Sequence, residues 1–225
     1  MKAGLSIVVP VLDEAGGIAA TLQALAPMRG RGVEVIVVDG GSTDATVAAA
    51  TPCADRVLRR PRGRARQMNA GAAAASADTL LFLHADTRLP AHADRIVAAA
   101  LERGATWGRF DVRIDGRAGL LKLVAALMNL RSRATGIATG DQAMFVRRGV
   151  FERVGGFPDQ PLMEDIELSR RLRALGPPAC LRAKAVTSGR RWEQRGVWRT
   201  IFLMWRLRWR YWRGESPQAL ADAYR

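Results

Sequence analysis

The chain has 225 residues, enough for one sizeable core, and its 48% hydrophobic and 25% charged content is globular rather than disordered or fibrous. Its net charge of +14 is almost wholly arginine, the lysines being Lys2, Lys122 and Lys184, and it points to polyanions: nucleotide phosphates, nucleic acid or an anionic membrane surface. Two cysteines, Cys53 and Cys180, exclude a disulfide framework or a CxxC site, and no apolar run reaches the ~18 residues of a spanning helix. With Lys2 followed directly by a strand-like segment and no cleavage-type signal, the expected location is cytoplasmic, at most peripheral on the inner face of the cytoplasmic membrane.

Residues 5–12 are apolar and β-branched, a buried strand with Pro10 near its end, followed by Asp13-Glu14 and a helical pattern over 15–26. Val33–Val38 reads as a second buried strand stopping at Asp39-Gly40-Gly41-Ser42-Thr43-Asp44. Ser42 or Thr43 would cap a helix over 44–51, and the glycines allow close backbone approach to a ligand. A short third strand at Arg56–Leu58, an alanine-rich helix over 64–77 and a buried strand over 79–83 follow. That last strand runs into His84-Ala85-Asp86-Thr87, where Asp86 either holds a divalent metal against phosphate oxygens or caps a helix starting near Pro90. Strands alternating with helices at this spacing argue an α/β fold with a parallel sheet.

The second half predicts a strand over 106–114, an apolar helix over 118–130 and a short strand at Gln142–Val146. A helix through Val154 ends at Gly155-Gly156, and another spans Leu162–Leu175 with Glu164 and Asp165 in its first turn. Glu14, Asp39 and Asp86 all follow predicted strands and would gather on one sheet edge with Gly40, Gly41, Arg64 and Arg66. Carboxylates, exposed backbone N–H groups and arginines together suit a metal-bound nucleoside diphosphate. Each piece also has a purely structural reading, as turn, cap or complement to a helix dipole.

These segments, in this order, resemble the family 2 glycosyltransferases with the GT-A fold over about residues 4–192. Ser6–Glu14 resembles the opening strand and its Asn/Asp-Glu turn, and Val37–Asp44 the V-D-D-G-S-x-D segment. Gly63–Gly71 is similar to the basic R-N-x-G helix, His84-Ala85-Asp86 to the D-x-D site, Gly155-Gly156-Phe157 to G-G-F, and Met163-Glu164-Asp165 to the E-D site. Within the family the chain looks most like the small single-domain transferases associated with radical-SAM and selenoprotein domains.

The resemblance implies a mostly parallel, Rossmann-like sheet flanked by helices over 1–192, with 193–225 as a C-terminal amphipathic helix and tail. It implies a nucleotide pocket of Pro10, Val11, Leu12, Glu14, Asp39, Gly41, Ser42, Arg64, Asn69, His84 and Ala85, with Asp39 on the base and Arg64 facing the diphosphate. Asp86 would hold Mg²⁺ or Mn²⁺, and Asp165 beside Glu164 would take the acceptor proton. Gly140, Asp141, Gln142, Arg191 and Trp192 would line the sugar or acceptor side. The implied reaction is an inverting, metal-dependent transfer of one sugar from a UDP- or GDP-sugar to an acceptor hydroxyl, a lipid-linked one being compatible. Two rivals stand beside it: a nucleotidyltransferase on a similar sheet, and a non-catalytic basic binder on a decayed transferase domain.

Two residues depart from the family pattern. Gly40 replaces the second Asp of the usual pair, and His84 replaces the first Asp of D-x-D, as either a ligand or a neutral wall residue. Gly140-Asp141-Gln142 reads equally as a polar turn before a strand. Arg191-Trp192 keeps only the R-W of the Q-x-x-R-W motif of processive relatives, Ser188 standing in place of Gln, which favours a single transfer.

Over 194–213, Trp198, Phe202, Trp205, Trp209 and Trp212 recur at helical spacing, with Arg195, Arg199, Arg206, Arg210 and Arg213 on one flank. Either the aromatics pack on the domain, or the helix lies in an anionic membrane interface. No base-reading motif accompanies the arginines, so no nucleic-acid partner is expected.

Overall fold

The computed structural model describes residues 4–224; Lys2 lies outside them. The first half runs β1 (Ser6–Val11), α1 (Ile18–Gln23), α2 (Ala26–Arg29), β2 (Glu34–Asp39), α3 (Thr46–Ala50), β3 (Arg56–Arg59), α4 (Arg64–Ala74) and β4 (Thr79–Phe82). The second runs β5 (Thr87–Arg88), α5 (Ala93–Glu102), β6 (Trp107–Asp115), α6 (Leu120–Thr135), β7 (Phe145–Arg147), α7 (Arg148–Arg153), α8 (Glu164–Arg173) and β8 (Ala179–Ser188). It closes with α9 (Arg190–Arg195), α10 (Val197–Trp212) and α11 (Pro217–Tyr224).

One sheet orders these strands β3-β2-β1-β4-β7-β6-β8-β5. The first four pair in parallel, as do β6 and β8, whereas β7 runs antiparallel to both neighbours and β5 antiparallel to β8. Successive residues of each strand point to opposite layers. Ile7, Val9, Val35, Val37 and Leu81 pack against Ile18, Leu22, Met28 and Val97, while Val8, Ile36, Val38, Leu80 and Phe82 pack against Met68, Phe151 and Leu168. A sheet covered on both faces needs continuous apolar runs, which is how these strands read in the sequence.

Helix α4 sits close on β1 because Gly71 faces Val8, where a Cβ would come 2.3 Å from Val8 Cγ1. The helix expected over 15–26 is two short ones, since Pro27 has no N–H to continue the ladder. The C-terminal helix is likewise broken at Gly196, whose φ of +83° a glycine adopts without strain. The strand expected at Gln142–Val146 begins only at Phe145, after a 3-10 turn over Gly140–Gln142. Sequence reasoning missed β8, whose outward Arg182 and Lys184 dilute its apolar content, together with β5, α9 and α11.

A buried charge network docks α6 on β6. The fully buried Arg109 donates to Asp111, to Ser132 Oγ (3.1 Å) and to the Asn129 carbonyl (3.2 Å), and Arg133 forks onto both Asp111 oxygens at 2.6 and 2.9 Å. Asn129 completes the joint, exchanging hydrogen bonds with the Val112 N–H (2.8 Å) and carbonyl (3.0 Å). Burial acts to raise the Asp111 carboxyl, but the hydrogen bonds from Arg133 and Arg109 outweigh it and hold the group below its ordinary 3.8. Asp111→Asn strands the buried Arg109 charge and is expected to cost ~3–5 kcal/mol near neutral pH. A depressed folded-state pKa gives stability that is present above the unfolded value and lost as pH falls through the folded one. Chemical denaturation of wild type and variant should therefore show a wide gap near neutrality that closes as the pH falls below the ordinary 3.8 and through the lowered folded-state value.

Candidate active site

Two strand-end loops are laced together by side chains. The Asp13 N–H donates to Ser42 Oγ (2.9 Å), the Glu14 N–H to Thr46 Oγ1 (2.7 Å) and the Ala15 N–H to Asp44 (3.1 Å). In return Asp13 accepts the Thr43 N–H at 2.8 Å. Asp13 does this from a φ of +52°, uncommon for a residue with a side chain and held here by these bonds. Ser42 and Thr43, expected as helix caps, are spent on this seam, and Thr46 takes its N–H partner from Asp44 at 2.9 Å.

Asp39 ends β2 almost fully buried and accepts the N–H groups of Gly41 and Ser42 at 3.1 Å each. Behind it Gln67, which the sequence reading passed over, donates its amide to the Val11 (2.8 Å) and Val38 (2.7 Å) carbonyls. Gly40 lies against that amide, and a Cβ there would stand 3.0 Å from three of its atoms. The Gly in place of the family's second Asp therefore leaves room for Gln67. The carbonyl of Val11 is consumed here, and that of Ala85 accepts the Thr21 hydroxyl at 2.6 Å. These two residues shape the pocket through backbone alone, beside half-buried Pro10 and Leu12.

Across the crevice, the 3-10 turn brings Gly140 to α8. The Gly140 N–H donates to Asp165 Oδ2 at 2.8 Å, and the Ile166 N–H to Asp165 Oδ1 at 2.7 Å. His84 packs edge-on to Gly140, with Nδ1 3.4 Å from Asp141 Oδ1. Burial acts to raise the Asp141 carboxyl, but the His84 hydrogen bond and the charges of His84, Arg64 and Arg191 hold it below its ordinary range. Glu164 is buried and is pushed up by that burial and by Asp165, against the pull of Arg64. Arg64 Nη1 reaches Glu164 Oε1 at 3.3 Å, but the arginine side chain keeps 47% of its surface in solvent, so screening weakens the pair. Met163 precedes this pair at φ +66°, the left-handed turn that aims α8 at the crevice.

Asp86 does not cap α5, whose N-cap position is His92. Its carboxylate is exposed, 3.4 Å from the Thr87 hydroxyl, and lines a cleft of about 380 Å³ with Glu14, Asp115, Ser188 and Arg190. Burial raises the Glu14 carboxyl, Asp86 raises it further, and Arg190 at 3.9 Å opposes them. Two carboxylates that repel one another, both hard oxygen donors, fit a divalent cation. Among the described residues no group of three or more His, Cys, Asp and Glu could hold an ion alone. Mg²⁺-type sites commonly take one or two carboxylates and complete the shell with substrate phosphate and water.

Three expected site residues are committed elsewhere. Asn69 clamps the Gly-Gly-Phe turn, donating to the Phe157 carbonyl (2.8 Å) and accepting its N–H (2.9 Å). Gln142 is fully buried, its side chain accepting the Thr139 N–H at 3.2 Å and donating to Asn129 at 3.4 Å. Trp192 packs with Val197 and Ile201 on the Val112–Leu121 cluster. Arg191 does enter the site: its charge is felt by Arg64, Asp141 and Asp86, and its guanidinium lies 4.8 Å over the Tyr224 ring.

The family model described as Glycosyl transferase family 2 matches residues 6–155. A curated relative, the probable glycosyltransferase YdaM of Bacillus subtilis (strain 168), is 27% identical over 239 residues, and the alignment covers 94% of this chain. The chain spans only 55% of that relative's length. Among solved structures, S. aureus TarS 1-349 in complex with UDP superposes with a TM-score of 0.68 at 20% identity, covering 84% of this chain and 60% of that one. The mannosyltransferase PcManGT from Pyrobaculum calidifontis, in complex with GDP-Man and Mn²⁺, gives 0.66 at 21% identity, covering 100% and 69%. At such identities these two structures establish a shared fold.

The contact between Gly140 and His84 is testable by size. A Cβ on residue 140 would lie 2.2 Å from His84 Nε2. Gly140→Ala is expected to destabilise by ~1–3 kcal/mol through overpacking. Adding His84→Ala to that variant should recover most of the lost melting temperature, a coupling that a double-mutant cycle measures directly.

Proposed function

The chain belongs to glycosyl transferase family 2, and from that premise we propose that it moves one sugar from a UDP- or GDP-linked donor to an acceptor hydroxyl with inversion. The transferred sugar would be a hexose or an N-acetylhexosamine, and residues 1–192 would form the catalytic domain with 193–225 as its C-terminal segment. Within the family we place the chain, on its sequence pattern, with the small single-domain transferases associated with radical-SAM and selenoprotein domains. The observation that carries the reading is the convergence, at the carboxyl ends of β1, β2 and β4, of the Asp39 loop, the Asp86 loop and the Glu164-Asp165 helix start. Family membership leaves the nucleotidyltransferase alternative without support.

In this reading the laced loops hold the nucleoside, with Asp39 and the Gly41–Ser42 backbone at the base and Pro10, Leu12 and Glu14 along the sugar ring. Arg64 and Arg191 face the diphosphate. Asp86, beside Glu14, would hold Mg²⁺ or Mn²⁺, in keeping with the Mn²⁺ bound to PcManGT. Such an ion neutralises a leaving diphosphate, a Lewis-acid contribution of several kcal/mol. Asp165 is the base: two of its roughly four lone-pair sites are held by the Gly140 and Ile166 N–H groups, which fix its orientation and leave others for an acceptor hydroxyl. Glu164, buried and pushed toward its protonated form, supports Arg64 instead of competing for that proton. Attack from the side opposite the leaving diphosphate inverts the anomeric carbon.

The C-terminal helix fits a peripheral membrane contact. Trp198, Phe202, Trp205, Trp209 and Trp212 are 56–83% exposed, so the reading in which they pack on their own domain is set aside. It is Thr200 and Leu207 on the opposite face that are buried. Leu123, Leu127 and Leu130 form a second exposed stripe on α6. No helix among the described residues is long and apolar enough to cross a membrane. An exposed aromatic stripe flanked by Arg199, Arg206 and Arg213 suits the interface of an anionic bilayer.

Asp86→Ala is expected to abolish Mn²⁺-dependent thermal stabilisation by nucleotide while leaving the apo melting temperature unchanged; equal shifts in wild type and variant would remove Asp86 from the metal site. Asp165→Asn should keep nucleotide binding and lose ~10²–10⁴ in transfer rate. Wild-type protein should sediment with anionic vesicles and be partly released by salt. Replacing Trp205 and Trp209 by Ala should weaken sedimentation with little change in melting temperature, as surface substitutions cost within ~0.5 kcal/mol each. Unaltered sedimentation would sink the interfacial reading.

A further inference from the structure

Two arginines near Asp165 make no side-chain hydrogen bond or ion pair among the described residues. Arg131, on α6, has its Nε and one Nη enclosed without a hydrogen bond among the described residues. Arg208, on α10, is half-buried and enters no hydrogen bond or ion pair among those residues. An enclosed guanidinium without an acceptor is costly, and most buried charges are paired. Here the mutual repulsion of the two cations adds to that cost. Burial, then the charges of Arg208 and Arg109, push Arg131 down to about 10, with only Asp165 opposing. Arg208 is pushed down by burial, opposed by Asp165 and Asp141.

The nearby carboxylates do not quench the pair. Asp165 is turned to the Gly140 and Ile166 N–H groups, and Asp141 to His84. The Arg109 network fixes the α6 backbone on both sides of Arg131, through Asn129 and Ser132–Arg133. What the pair lacks is an anion from outside the chain. Guanidinium groups match phosphate oxygens in geometry and charge. The two helices that carry the pair also carry the exposed leucine and aromatic stripes.

We propose that Arg131 and Arg208 form a subsite for a phosphate group on the acceptor, held next to Asp165. This rests on the sugar-transfer reading, in which Asp165 meets the acceptor. It assigns the acceptor to the phosphate esters, whether a lipid phosphate reached between the apolar stripes of α6 and α10 or a soluble phosphorylated compound.

The test measures binding without donor, so it supports or overturns the subsite whether or not the chain transfers sugar. Calorimetric titration would use farnesyl phosphate in neutral detergent micelles, farnesol in the same micelles, and glycerol 3-phosphate. Phosphate binding with farnesol silent supports the subsite; a preference for farnesyl phosphate over glycerol 3-phosphate then identifies a lipid acceptor, and equal affinity a soluble one. Arg131→Met and Arg208→Gln should each weaken phosphate binding about tenfold or more, as expected for loss of a charged hydrogen bond, with UDP or GDP affinity kept. Because Arg131 is unpartnered, Arg131→Met should melt at or above the wild-type temperature. No binding of either phosphate, or unchanged binding in both variants, would overturn the proposal. A sharply lower melting temperature for Arg131→Met with phosphate binding intact would give Arg131 a structural role and overturn it too.

Discussion

The structure depends on a reversal in strand order at β1. The chain builds outward on one side through β2 and β3, then returns to place β4 on the other. Where the direction reverses, the connections leave to opposite faces and a crevice opens beyond the carboxyl ends of the strands. The Asp39 and Asp86 loops and the start of the Glu164–Arg173 helix border that crevice. The two apolar layers, on Ile7 and Val9 to one side and Val8 to the other, fix which strand is central and so where the crevice falls.

Within the crevice, short polar side chains and backbone groups do the positioning. Gln67 holds the ends of β1 and β2 at a set separation through two carbonyls, and Gly40 gives it the room. Across from it one peptide N–H, that of Gly140, orients Asp165, while the same glycine has His84 against its open side. His84 thereby ties the β4 loop to the turn before β7 through its contact with Asp141. Of the two departures from the family pattern, the glycine at residue 40 is accounted for by local packing.

The basic charge divides by environment. Arg29, Arg31 and Arg66 make exposed pairs with Asp55, Asp94 and Asp159, worth little individually. Arg109 and Arg133 are structural, locking α6 to the sheet. Arg64, Arg190 and Arg191 surround the crevice, and Arg131 and Arg208 stand unpaired beside Asp165. Five of the 35 basic residues, Arg64, Arg131, Arg190, Arg191 and Arg208, thus lie in or beside the crevice.

The sequence by itself determined the α/β class, the four parallel strands of the first half, the positions of Asp39, Asp86 and Glu164-Asp165 at strand or helix ends, and the helical stripe of tryptophans. Each of these is a local pattern: an apolar run, a residue at its end, a spacing of three and four. Only the tertiary structure decided that Asn69 and Gln142 serve the backbone, that β8 completes the sheet, and that the tryptophans face outward. It also brought Gln67 behind Asp39, Arg190 beside Glu14, and Arg131 and Arg208 within reach of Asp165. A side chain's partner depends on what distant segments bring to it, and neither spacing nor composition carries that information. Arg131 and Arg133 differ by two positions in one helix, yet only Arg133 reaches Asp111 on β6, while Arg131 points toward α10 and Asp165.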